Sequence, residues 1–163
     1  MLGSNLKKLA TAGLLALASA LPSVGYAADN MIAGSDIDKI AEIAKGYGSV
    51  TAPQSNENGL VWLELKTEGH KYFIDVYGNN GKKCEGNCNV AFSICFNNDR
   101  KPTYEEINQW ISDHWSVIDW TKDDGTCLDL YMIAYGGGFT HTQFENAFDM
   151  FLKDYADYRK AFQ

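Results

Sequence analysis

The chain predicts an α+β fold, two layers deep, in which three helices pack on one antiparallel sheet of five strands in the order α-β-β-β-α-β-β-α. Three observations predict it. Stretches with an apolar residue at every second position alternate with stretches at helical spacing. The strand-like runs are joined by short turns, which makes neighbouring strands antiparallel and excludes a parallel nucleotide-binding sheet. Two of the helical stretches open on a Thr followed three residues later by Glu or Gln, the spacing of a capping box.

The N-terminus has the layout of a secretory leader, with Lys7 and Lys8, an apolar run from Leu9 to Leu21, and small residues Gly25 and Ala27 before a cut after Ala27. Residues 1–27 are therefore expected to be a signal peptide and 28–163 a single domain in the periplasm or outside the cell. The apolar run is well short of the roughly 20 residues that cross a bilayer, so no stable membrane anchor is expected. Removing two lysines and no acid takes the formal charge from −7 to −9. That balance argues against nucleic acid as a partner.

Residues 29–35 read as a loose tail. Ser35 or Asp36 caps a first helix with Ile37, Ile40, Ala41, Ala44 and Tyr47 on one side, closed by Gly46 and Gly48. Thr51 to Gly59 is a loop. Leu60 to Lys66 and Tyr72 to Tyr77 form a hairpin about Glu68-Gly69, and a Gly- and Asn-rich connection leads to an alternating strand from Val90 to Asn97. Thr103 and Glu106 then box a second helix with Tyr104, Ile107, Trp110, Ile111 and Trp115 as its apolar face. Val117 to Thr121 and Cys127 to Ala134 form a second hairpin around Asp123-Asp124-Gly125. Gly136 to Gly138 end it, and Thr140 with Gln143 opens the last helix, whose inner face is Phe144, Ala147, Phe148, Phe151, Leu152 and Tyr155.

Chemistry-bearing motifs are scarce. The chain has no Gly-x-Ser-x-Gly elbow, phosphate loop, dinucleotide turn or His-Glu-x-x-His. His70, His114 and His141 lie far apart in sequence and read as surface or half-buried residues. Cys84 and Cys88 lack the second pair of a zinc site and sit in a strand connection, not at the helix N-terminus that activates an exchanging thiol, so no metal and no cofactor is expected. With Cys95 and Cys127 they make an even set in an oxidising compartment. Four cysteines allow three pairings.

The order Cys84-x3-Cys88, Phe92, Ile107-Asn108-x-Trp110, Asp124-Gly125, an alternating strand, Gly137-Gly138 and an aromatic-rich last helix resembles the YbjN family of bacterial proteins, related to the type III secretion chaperone-like fold. The resemblance implies a two-layer domain whose third strand lies beside its fifth, with no established catalytic residues. It implies a Cys84–Cys88 bridge, as exported members often carry. With that strand order, Cys95 and Cys127, both out of phase with the core positions of their strands, fall opposite each other and pair. It also implies a non-enzymatic binding or chaperone-like module acting through an unidentified protein partner, with a homodimer expected. The surface for it is Trp62, Phe73, Tyr77 and Tyr131, each out of phase with its strand's core positions. The alternative from a different class is a small-ligand or hydrolytic site on the sheet-face carboxylates Asp75, Asp119 and Asp129.

Overall fold

The computed structural model describes residues 31–78, 83–84, 88–97, 101–120, 125–134 and 138–163. The expected leader, the Asp123-Asp124 turn and Gly136-Gly137 lie outside the described residues. In chain order the elements are β1 (Met31–Ile32), α1 (Ile37–Ala44), β2 (Ser49–Val50), β3 (Gln54–Ser55), β4 (Val61–Thr67), β5 (His70–Tyr77), β6 (Cys88–Phe96), α2 (Tyr104–Asp113), β7 (Val117–Trp120), β8 (Thr126–Ala134), β9 (Phe139–Thr140) and α3 (His141–Phe162). The main sheet runs β2-β4-β5-β6-β8-β7, with β3 also on β4, and every pairing in it is antiparallel. β6 lies beside β8, the adjacency of third and fifth strands that the family resemblance implies.

Local chemistry sets the ends of these elements. Glu68 and Gly69 both adopt positive φ, 51° and 80°, the mirror-image turn that joins two strands through a two-residue loop. Asp36 accepts from the Lys39 N–H to cap α1, and both capping boxes form, Thr103 with Glu106 and Thr140 with Gln143. Each such cap contributes about 1 kcal/mol.

The helices bury one shared core against one face of the sheet. Tyr72, Ile74, Val76, Val90, Phe92, Ile94, Leu128 and Leu130 point to it from alternate strand positions. Phe92 lies at the centre, 5.1 Å from both Phe144 and Phe148 of α3 in edge-to-face contact. Tyr155 and Tyr158, from the next turns of α3, stack on Phe96. From α1 come Ile40, Ile43 and Ala44, and from α2 comes Trp110.

Three expectations are corrected. The main sheet has seven strands among the described residues, not five, because β3 forms on β4 within the stretch that reads as loop, and β2 forms on β4 just before it. The supposed loose tail at 29–35 contributes β1, which pairs with β9, Ile32 opposite Phe139. Gly138 is required there. It has φ +93°, and a Cβ on it would run into the Ile32 carbonyl. Finally, the apolar face read for α2 is mostly exposed. Only Trp110 is buried, against Tyr158 and Phe162, while Tyr104, Ile111 and Trp115 stand in solvent. The helix meets the rest of the domain through Trp110 at the end of α3 and through Tyr104, whose ring packs on Trp120 of β7.

One buried charge organises this region. Asp154 of α3 is 2% exposed and its Oδ2 accepts the main-chain N–H of Trp115 and Ser116, at 3.0 and 2.8 Å. It thereby anchors the chain between α2 and β7 to the helix. Asp154→Ala leaves two N–H groups without an acceptor, and is expected to lower the unfolding free energy by about 2 kcal/mol in urea denaturation. A variant indistinguishable from wild type would mean that water replaces the carboxylate.

Candidate interaction surface

Residues between the core positions of each strand point to the opposite face of the sheet, and the pairing register arranges them in rows. One row runs Trp62, Asp75, Ala91, Tyr131, and the next Glu64, Phe73, Ser93, Asp129, Val117. A third holds Tyr77, Asn89 and Ile133. All four aromatic residues expected at the partner surface therefore share this outer face, away from the helix-packed core. Their exposures differ: Tyr131 is 50% exposed, whereas Trp62, Phe73 and Tyr77 are half-buried. The flat aromatic patch of the sequence reading is thus a shallower feature, with Tyr131 and Ile133 its most accessible members.

The carboxylates converge at the middle of the same face. Asp75 is pushed up to about 6, first by burial and then by Asp129. Asp129 is likewise pushed up to about 6 by burial, with the Ser93 hydrogen bond opposing and Asp119 adding to the rise. Burial, reinforced by these acids, also raises the Tyr131 hydroxyl to about 12. The sequence named Asp75, Asp119 and Asp129 as sheet-face acids, but not their proximity or the burial that raises two of them. The signal lay in their common strand phase once the register was known.

All four cysteines are paired, Cys84 with Cys88 and Cys95 with Cys127, with Cα atoms 5.3 and 4.0 Å apart. Cys95 and Cys127 are directly opposed across β6 and β8. The histidines stay separate. His70 bonds the Tyr155 hydroxyl through Nδ1 at 2.9 Å, His114 stacks on Trp110, and His141 reaches Glu145. Among the described residues no three His, Cys, Asp or Glu stand close enough to hold a metal ion. No described helix is long and apolar enough to cross a membrane.

A groove lined largely by apolar side chains lies at one edge of this face. A space of about 360 Å³ between β8 and the first half of α3 is lined by Trp115, Tyr131, Met132, Ile133, Phe139 and Met150, among others. The sequence reading missed it, because its walls come from four separated segments.

Two comparisons bear on identity. Residues 36–163 match the model of the YbjN family, described as "Putative bacterial sensory transduction regulator". No curated protein matches the chain.

Proposed function

The chain belongs to the YbjN family, and from that membership we propose that it is an exported, non-enzymatic module that binds another protein through its outer sheet face. The observation that carries the reading is the common placement of Trp62, Phe73, Tyr77, Tyr131 and Ile133 on the face opposite the helices. Large apolar side chains gathered in this way on one face are the composition of an interaction surface. Export is supported by the charged, apolar and small-residue order of the first 27 residues and by the paired cysteines, which persist in an oxidising compartment. A second copy of the chain is one candidate for the partner.

Photo-cross-linking in cells tests the reading. A photoreactive phenylalanine analogue at Tyr131 or Trp62 should give defined protein adducts, while the same analogue at Tyr104, exposed on α2, should give few. Equal labelling at Tyr104, or no protein adduct at the outer face, would count against it.

Asp75 and Asp129 favour a second reading, since a carboxyl titrating near 6 can both give and take a proton near neutrality. A hydrolytic site there would show turnover of simple esters or phosphoesters that Asp129→Asn abolishes.

A further inference from the structure

β8 is covered unevenly. On one side it pairs with β6 along its whole length, from Thr126 opposite Phe96 to Ala134 opposite Cys88. On the other side β7 pairs with it only from Thr126 to Asp129. Continuing that register would bring Trp115 opposite Tyr131. It does not continue, because Asp154 takes the N–H groups of Trp115 and Ser116 and turns the chain toward α3.

The register shows which main-chain groups this leaves open. Cys95 and Cys127, 4.0 Å apart at Cα, form a close pair of the kind that exchanges no hydrogen bonds. Residue 127 and every second residue after it therefore turn their N–H and C=O away from β6. Asp129 meets Val117 on that side. Tyr131 and Ile133, next in the series, have no strand beside them among the described residues.

Open strand edges are ordinarily guarded by a charge, a proline or a bulge. The segment Leu130-Tyr131-Met132-Ile133-Ala134 has none of these. Among the described residues, four of the six exposed large hydrophobic side chains, Trp115, Tyr131, Ile133 and Met150, line the groove of about 360 Å³ beside it. A strand laid along this edge would place its inward side chains over Met132, Phe139 and Met150. Ile118 of β7, which is 6% exposed, fills the corresponding layer further along β8.

We propose that the edge of β8 from Leu130 to Ala134 accepts an extended segment of a different polypeptide as an added strand, with apolar residues facing α3 and basic residues facing outward. This rests on the reading of the chain as a protein-binding module and names its partner class. Charge selects the occupant. Asp129 adjoins Tyr131 on the outer face, with Asp75 and Asp119 acting on it, and the whole chain carries −7. A second copy would bring the same charge and a β8 without a single Lys or Arg, whereas an extended segment with outward Lys or Arg complements it. Scale agrees. Five residues of edge and one groove suit a peptide, while a stable pair of folded subunits buries about 1,200–2,000 Å².

The test uses the purified protein and a labelled synthetic peptide of alternating valine and lysine, with the same peptide N-methylated along its backbone as control. Fluorescence anisotropy reports binding, and hydrogen exchange reports the protein's amides. The expected result is binding by the unmodified peptide alone, slower exchange at Tyr131 and Ile133, and about tenfold weaker binding for Met150→Lys, a surface change on the groove wall. Tyr104→Ser, an exposed change on α2, should leave peptide affinity unchanged. Loss of binding in Phe73→Ser but not in Met150→Lys would overturn the groove while sparing the protein-binding reading. Equal binding of the N-methylated peptide would overturn strand addition. A sedimenting dimer with Tyr131 and Ile133 already protected would give the edge to a second copy and overturn the proposal. Absence of peptide binding together with absence of cross-linked adducts at Tyr131 and Trp62 would remove both readings.

Discussion

Replacing Cys95 and Cys127 together by serine is expected to lower the unfolding free energy by about 3–4 kcal/mol, the largest loss from any single cross-link in the domain. The bond spans 32 residues of sequence and joins β6 to β8, so it closes a loop that contains α2 and β7. Most of its effect falls on the unfolded chain, which can no longer separate the two strands. Cys84 and Cys88 are only four residues apart, and by the same argument their bond contributes about 2 kcal/mol. Urea denaturation of the two serine double variants measures both. Peptide mapping of the non-reduced protein should recover Cys95 joined to Cys127, and a Cys95 that alkylates without denaturant would contradict the register of β6 on β8.

That register was legible in the sequence for a physical reason. Cys95 and Cys127 are out of phase with Phe92, Ile94 and Phe96 on one strand and with Leu128 and Leu130 on the other, so both thiols had to leave the core. The family's strand order then placed the strands side by side, and the structure has them paired. The capping boxes were equally local, since Thr103 and Thr140 interact with groups three residues away. β1, β2, β3 and β9 were not legible, because two residues have no period and each strand exists only through its partner.

The misreading of α2 has the same origin. Tyr104, Ile111 and Trp115 share helical spacing with Trp110, yet burial requires something to pack against, and α3 offers Tyr158 and Phe162 to Trp110. Asp154 was invisible for the opposite reason. A carboxylate on a helix reads as solvent-facing until the N–H groups of Trp115 and Ser116, 39 and 38 positions away, are seen against it. This contact ends β7 early and opens the β8 edge, so the groove is a consequence of tertiary structure that no local pattern announces. The outer-face aromatics were placed on the correct side by their phase, while their depth depends on neighbours several strands away.

Asp129→Asn is expected to stabilise the domain at pH 8 and to leave it nearly unchanged at pH 4. Burial holds Asp75 and Asp129 near 6, above the ordinary value of 3.8. Between those two values the folded protein keeps protons that the unfolded chain releases. The stability these groups contribute is therefore fully present below 3.8 and is lost as pH rises through about 6. At pH 8 each carboxylate is ionised on a face that disfavours its charge, a cost on the order of 3 kcal/mol per group at most, with the two groups coupled. An amide at 129 has no charge to bury and retains an oxygen to accept from the Ser93 side chain. It also removes the repulsion that helps to raise Asp75, so Asp75 should titrate lower in the variant. Asp113 and Asp157 are shifted the other way, lowered chiefly by side-chain hydrogen bonds, Asp113 from Gln109 and Asp157 from Lys160. The wild-type pH profile therefore mixes both signs, and only the difference between variant and wild type isolates the outer-face pair. Thermal melts of the two proteins at pH 4 and pH 8 measure it. An asparagine variant destabilised equally at both pH values would show that the Asp129 carboxylate is satisfied by its neighbours, and that the acids at the centre of this face carry no electrostatic cost for an incoming basic strand to relieve.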